Sequence, residues 1–460
     1  MPLVAGVDSS TQSVKVVIRD AESGELVAQA SEPHPDGTEV EPRAWEDALK
    51  GALAKVSKFK FDAISIAGQQ HGMVALDKDG DVIRKALLWN DTRSAIAAED
   101  LNREIPDIHL RTGSRLVASF TASKVRWLFE SEPESAKQLA AVALPHDWLS
   151  WRLAGSNNLD SLFTDRSDAS GTGYFNSESN KYDLEIIERV TKGKCSFLTP
   201  KVLQPSEFGG ETTSGIPIAA GAGDNAGAAL GLGASVGDLV ISLGTSGTAF
   251  AVSAKPTKDP SGEVAGFADA TGNFLPLACT LNAAKVFATV AKLLKVDLDE
   301  FGALALRAKS GAGGVRLLPH FDGERTPNRP NARGNYLGIT NENFTSENLA
   351  RAAIEGVVAG MVYAANSLKR EGFTPKRILL IGGAAKNLAV QEITAEMFAS
   401  EVFLPEAGEY VADGAARQAA WALSGKGEIP TWGLGKVTTI RPTNSNSELI
   451  ENYLQLISKA

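Results

Sequence analysis

The chain has 460 residues, 43% hydrophobic and 22% charged, with 46 basic and 55 acidic side chains and a net charge of −9. That length exceeds one ordinary core, so two large domains are expected. The acidic balance argues against a general nucleic-acid surface, so any phosphate ligand must be held by local donors and a metal. Two distant cysteines, Cys195 and Cys279, and five scattered histidines exclude a disulfide framework or a zinc spacing, and no apolar run reaches the length of a membrane span.

The chain opens on a strand over residues 3–7. A polar turn follows (Asp8, Ser9, Ser10, Thr11, Gln12, Ser13), then a returning strand over 14–18 and a third over 26–30. Apolar runs punctuated by small polar turns predict an antiparallel meander. The first residues enter that strand without a charged segment and an apolar signal core, so a cytoplasmic protein with no membrane or nucleic-acid partner is expected. A helix is predicted from Pro42 and Trp45 to about Lys58, and a strand over 62–67 that ends in Gly68-Gln69-Gln70-His71-Gly72. Residues 94–153 read mainly as helices, and 154–182 as loop carrying Asp165, Arg166 and Asp168.

The densest stretch is 216–248. A short buried strand over 216–220 meets a glycine turn at Gly221 and Gly223, and a helix of small residues follows with Asp224 at its mouth. A strand over 239–243 then runs into Gly244-Thr245-Ser246-Gly247-Thr248, and 249–253 returns. This repeats the plan of the first hairpin and suggests a duplication at domain scale, too long for a solenoid. It places the domains at 1–240 and 241–460. Further on, the pattern predicts a strand over 316–318, a Gly/Pro/Arg-rich loop over 319–335 and a helix over 347–371. A strand over 377–381 runs into Gly382-Gly383-Ala384-Ala385-Lys386-Asn387, and a small-residue helix covers 412–424.

Asp224 is the candidate general base, since an ionised aspartate near a substrate hydroxyl can take its proton. An N-cap aspartate fits the same position, and spacing alone leaves the two even. Asn225 could orient a hydroxyl or act as a second cap. Gly221 to Ala226 also fits the dinucleotide fingerprint, but the next strand ends in Leu243-Gly244-Thr245 without the acid that binds ribose. A carboxylate in the turn would also repel a pyrophosphate, so a phosphotransferase ranks above a nicotinamide dehydrogenase. There is no Walker-type loop and no protein-kinase catalytic loop. Asp8 is the candidate magnesium carboxylate, with Thr11 and Lys15 towards phosphate. Gly244, Thr245, Gly382, Gly383 and Asn387 belong to strand-to-turn segments that let a nucleotide approach the backbone. Gln70 and His71 stand at a strand end, where they could bond a polyol. Trp89 reads as core rather than as a sugar platform.

These residues resemble the FGGY carbohydrate kinases. Asp8 to Lys15 is similar to the family's first phosphate hairpin, with Ser10 where glycine is commoner. Ser119 to Glu130, with Lys124 and Trp127, and Gly334 to Glu355, with Gly338, Leu349, Ala352 and Glu355, are similar to the two family patterns. Gly223-Asp224-Asn225 resembles the segment of the catalytic aspartate, and Leu243 to Gly247 and Gly382 to Ala384 the ATP-side loops. Gly68 to Gly72 with Trp89 to Arg93 resembles the branch acting on D-xylulose; ribulose, gluconate or glycerol are the alternative substrates, and a non-catalytic sugar-responsive protein the alternative role. The resemblance implies an α/β fold of the two-domain actin-like ATPase type, a duplicated mixed sheet flanked by helices with a central cleft. It implies a sugar-binding first domain, an ATP-binding second domain, and ATP and Mg2+ as cofactors, with a homodimer as the assembly to look for.

Overall fold

The computed structural model describes residues 1–433, 435–444 and 446–459. Two compact units emerge: residues 1–234, 254–275 and 408–433 form the first, and 235–253, 276–407 and 434–460 the second.

The sheet of the first unit contains β1 (Leu3–Ser9), β2 (Ser13–Asp20), β3 (Leu26–Pro33), β4 (Ala63–Gly68), β5 (Phe208–Glu211), β6 (Pro217–Ala219) and the two-residue β7 (Ala222–Gly223). Its order is β5-β6-β4-β1-β2-β3, with β7 also on β4. β1 pairs antiparallel with β2 and parallel with β4. Every residue of β4 is buried, because helices cover both faces of the sheet. One face carries Trp45, Leu49 and Ala52 of helix Pro42–Lys55, together with Trp148, Leu149 and Trp151. On the other face, Ala412, Ala416, Ala419 and Ala420 of helix Tyr410–Ser424 lie against Val4, Val17 and Ala63.

That second helix needs its small residues. A Cβ on Gly6 would sit 2.0 Å from the Ala412 carbonyl, and one on Gly414 1.8 Å from the Gly227 carbonyl. Helix Tyr410–Ser424 therefore presses on β1 and on helix Asp224–Gly231 at once, and the Ala/Gly composition of both helices is what lets their backbones approach. The predicted turn at Gly221 to Gly223 contains more structure than expected. Gly221 turns at φ +87°, and Ala222 and Gly223 then rejoin the sheet as β7.

The second sheet contains β8 (Asp238–Leu243), β9 (Gly247–Ala251), β10 (Phe274–Thr280), β11 (Arg377–Ile381), β12 (Val402–Leu404) and β13 (Thr438–Ile440). They lie in the order β10-β9-β8-β11-β12-β13. β8 is antiparallel to β9 and parallel to β11, as β1 is to β2 and β4. β12 is parallel to β11 and antiparallel to β13, which repeats β6 between β4 and β5. The duplication suggested by two hairpins thus extends across both sheets. Helix Ser346–Arg370 is capped by Thr345, whose side chain accepts from the Asn348 amide, and it buries Leu349, Ala353, Val357 and Met361 along the predicted stripe. Among the described residues no helix is long and apolar enough to cross a membrane.

Candidate active site

Strands β1, β4 and β7 run parallel, and their C-terminal ends are level. Ser9 is in register with Gly68, and Gly68 with Gly223. The chain leaving each strand therefore delivers its polar residues to one edge of the sheet: Asp8 and its hairpin from β1, Gln69 to His71 from β4, and Asp224 from β7. Ligands of α/β sheets bind beyond such strand ends.

Asp8 is buried and faces Lys15 across the hairpin. It accepts a hydrogen bond from the Ser10 hydroxyl. Lys15 Nζ lies 2.5 Å from Glu409 Oε2. Burial pushes the Asp8 carboxyl up to about 7; Ser10 and Lys15 pull it down, and the charge of Asp224 pushes it further up. The two carboxylates are thus close enough to feel each other.

Asp224 is not an N-cap. Gly223 holds that position, and Asp224 is the first residue of its helix. Its Oδ1 accepts from the Asn225 backbone N–H and from Asn225 Nδ2, each at 2.7 Å. Burial pushes its carboxyl up to about 6 against those two bonds.

His71 has φ 69°, a conformation uncommon for a residue with a side chain. Its ring is gripped by Phe120 and Phe267, with centroids 4.8 and 5.5 Å away. Nδ1 lies 2.6 Å from the Gly171 carbonyl. A carbonyl only accepts, so Nδ1 carries a proton there. Gln70 is fixed in the same way, because its Nε2 donates to the Ser167 carbonyl at 2.9 Å.

Trp89, expected in the core, is 40% exposed. Its indole N–H donates to Thr11 Oγ1 at 2.9 Å, which ties the segment after residue 88 to the tip of the first hairpin.

Residues 166–170, expected as loop, form a short helix whose N-cap is Asp165. Asp165 accepts from the Ser167 and Asp168 amides. Behind it lies His146, buried with Asp147 and Asp168 at 2.9 and 2.7 Å from Nδ1. Burial opposes a charge on this ring, yet those two carboxylates hold it well above the ordinary range of histidine. Nothing in the sequence pattern singled out His146 or Ser167. The available signal was Asp165 standing three residues before Asp168, a helix-capping interval.

In the second unit, Ser242 and Ile381 are in register, so the loops leaving β8 and β11 are neighbours. Gly382 has φ +97°, and a Cβ there would lie 2.5 Å from the Leu243 carbonyl oxygen. The Gly244 carbonyl accepts from Ala284 N at 2.9 Å, and Thr245 lies in the turn before β9. Gly383 begins a 3-10 turn with open space where a Cβ would stand. Asn387 caps the next helix through Ala389 N at 2.9 Å and donates to the Leu298 carbonyl at 2.9 Å. These five residues are brought to one edge of the second sheet, as Asp8, Gln70, His71, Asp224 and Asn225 are at the first.

Residues 3–231 match the FGGY family of carbohydrate kinases, N-terminal domain, and 239–423 match its C-terminal domain. The chain belongs to the FGGY family of carbohydrate kinases. This FGGY kinase is 44% identical over 443 residues to a xylulose kinase of Streptomyces coelicolor, covering 92% of this chain and 89% of that one. The crystal structure of xylulose kinase from Bifidobacterium adolescentis superposes with a TM-score of 0.92 at 43% identity, covering 99% of each chain. A gluconate kinase structure from Lactobacillus acidophilus gives 0.89 at 24% identity, covering 100% of this chain and 96% of that one. The fold is therefore common to kinases named for different substrates, and the backbone does not choose the sugar.

Proposed function

We propose that this FGGY kinase transfers the terminal phosphoryl group of ATP to the primary hydroxyl of D-xylulose, giving D-xylulose 5-phosphate and ADP. The supporting observation is the level ending of β1, β4 and β7, which gathers the carboxylates of Asp8 and Asp224 and the Gln70–His71 pair. The xylulose kinases at 44% and 43% identity support the choice of sugar.

The domain matching 3–231 takes the sugar, and the domain matching 239–423 takes ATP. Gln70, His71 and Asn225 hold sugar hydroxyls. Asp224 accepts the proton of the attacking hydroxyl as its oxygen bonds to phosphorus and the bond to the ADP oxygen breaks. Thr11 and Lys15 face phosphate from the first hairpin. Gly244, Thr245, Gly382 and Gly383 present backbone to the nucleotide, and Asn387 pins their loop through its cap. Asp8 offers a buried carboxylate, an oxygen donor suited to a hard cation such as Mg2+. That ion, when bound, neutralises phosphate charge. Free, well-separated Cys195 and Cys279 suit a reducing cytoplasm. A homodimer is the assembly expected, and light scattering measures it.

The test is ADP release with a panel of pentuloses, hexuloses, gluconate and glycerol. D-xylulose should be among the best acceptors. If another member of the panel is strongly preferred, the sugar assignment fails while the family stands.

A further inference from the structure

Ser167 belongs to neither the sugar-facing nor the phosphate-facing set, yet it bonds both to Gln70 and to the residue before Asp224. It is fully buried on the short helix Arg166–Ser170. Its hydroxyl donates to Asp165 Oδ2 at 2.5 Å, so the lone pairs of Oγ are left to accept, and the Gly223 amide donates to them at 3.0 Å. Gly223 is the N-cap of the helix that begins with Asp224. The Gln70 side chain packs directly against it, since a Cβ at Gly223 would lie 2.6 Å from that side chain.

The Ser167 carbonyl is the second point of attachment. It accepts from Gln70 Nε2 at 2.9 Å and from the Ser170 hydroxyl at 2.6 Å. Because a carbonyl cannot donate, the Gln70 amide must turn its NH2 group here and its oxygen away. One residue thus sets the backbone corner that aims Asp224 and the rotamer that aims Gln70. Asp165 in turn fixes Ser167 by accepting from its amide at 2.7 Å as well as from its hydroxyl.

We propose that Ser167 is a positioning residue for phosphoryl transfer, holding Asp224 and Gln70 in the mutual geometry that the reacting hydroxyl requires. The inference rests on the assignment of Asp224 as base and Gln70 as a sugar contact. Placement errors of about 1 Å cost on the order of a hundredfold in rate. Ser167→Ala and the near-isosteric Ser167→Cys both deprive the Gly223 amide of a good acceptor, so each should lower kcat by roughly 10- to 100-fold. Ser167→Thr, which keeps the hydroxyl, should recover most of that loss. The KM for ATP should stay within about twofold and that for D-xylulose should move much less than kcat, a split that general loosening of the fold would not produce.

The experiment measures kcat, both KM values and Tm for these variants beside Asp224→Asn and Thr172→Val. The Thr172 hydroxyl bonds only locally, to the Ala169 carbonyl and from the Tyr174 amide, so its loss samples a buried hydroxyl outside the site. The inference is overturned if folded Ser167→Ala or Ser167→Cys turns over within about twofold of the parent, if Thr172→Val loses as much kcat as they do, or if neither Ser167 variant folds. If Asp224→Asn itself keeps full turnover, it is the assignment of the base that fails.

Discussion

Replacing Asp224 with asparagine should abolish most turnover and make the protein more stable. Asparagine keeps an acceptor oxygen for the two Asn225 bonds, so the local structure survives while the charge is lost. Burial holds the carboxyl at about 6 against an ordinary 3.8. At ~1.36 kcal/mol per pH unit, that gap corresponds to about 3 kcal/mol of penalty on the ionised form. Partial exposure of the residue and relaxation around it reduce the expected gain to about 1–2 kcal/mol, or a Tm rise on the order of 2–5 °C. The sign follows from linkage. A carboxyl whose pKa is raised by folding contributes stability that is fully present below 3.8 and lost as pH rises through about 6. The variant should therefore exceed the parent in Tm at pH 8 and match it near pH 4. Turnover should fall by roughly a hundredfold to ten-thousandfold, with sugar affinity changing less. In the parent, kcat should fall on acidification through about 6 as Asp224 takes up its proton. Thermal melts at both pH values and an ADP-release assay test the pair of effects. Near-normal turnover refutes the base, and an equal Tm increment at pH 4 and pH 8 refutes the burial argument.

His71→Ala should raise the KM for D-xylulose about tenfold, near 1.4 kcal/mol, with the KM for ATP within twofold; steady-state kinetics with each substrate varied in turn will show whether the effect stays on the sugar. Gly382→Ala forces a Cβ against the Leu243 carbonyl at φ +97°, at a strain of about 1–3 kcal/mol. The KM for ATP should rise severalfold while the KM for sugar holds, and an unchanged nucleotide affinity by titration calorimetry would remove the loop from the site. Gly414→Ala drives helix Tyr410–Ser424 away from the Gly227 carbonyl, which a Cβ would approach to 1.8 Å. A loss of about 2–3 kcal/mol in denaturant melts is expected, the upper end of overpacking costs. Turnover should fall with it, because Asp224 rides on the displaced helix.

Much of the chemistry was legible because it is written in local patterns. Hairpin turns between short apolar runs mark strands by themselves, so the openings at residues 3–18 and 239–253 announced the duplication that the strand order of both sheets repeats. Asp8, Asp224 and the glycine loops stood out as polar or small residues at strand ends. Ser167 did not, because a five-residue helix has no periodicity to read and its value lies in partners as distant in sequence as Gln70 and Gly223. Trp89 misled for the opposite reason: three buried residues before it, Ala86 to Leu88, imply that burial continues, whereas the chain leaves the interior there.

Residue type and short-range spacing suggested the two-fold repeat of the sheet plan and offered Asp224 as a candidate, while leaving a base and an N-cap even; the fold class followed from the family resemblance that the motifs carry. The tertiary structure decided that Gly223 rather than Asp224 caps the helix, that β7 rejoins the sheet, and that Asp8, Gln70 and Asp224 finish level with one another. Those outcomes depend on strand register, and register is set by which distant segments can bury their apolar faces together. No window of neighbouring residues contains that information.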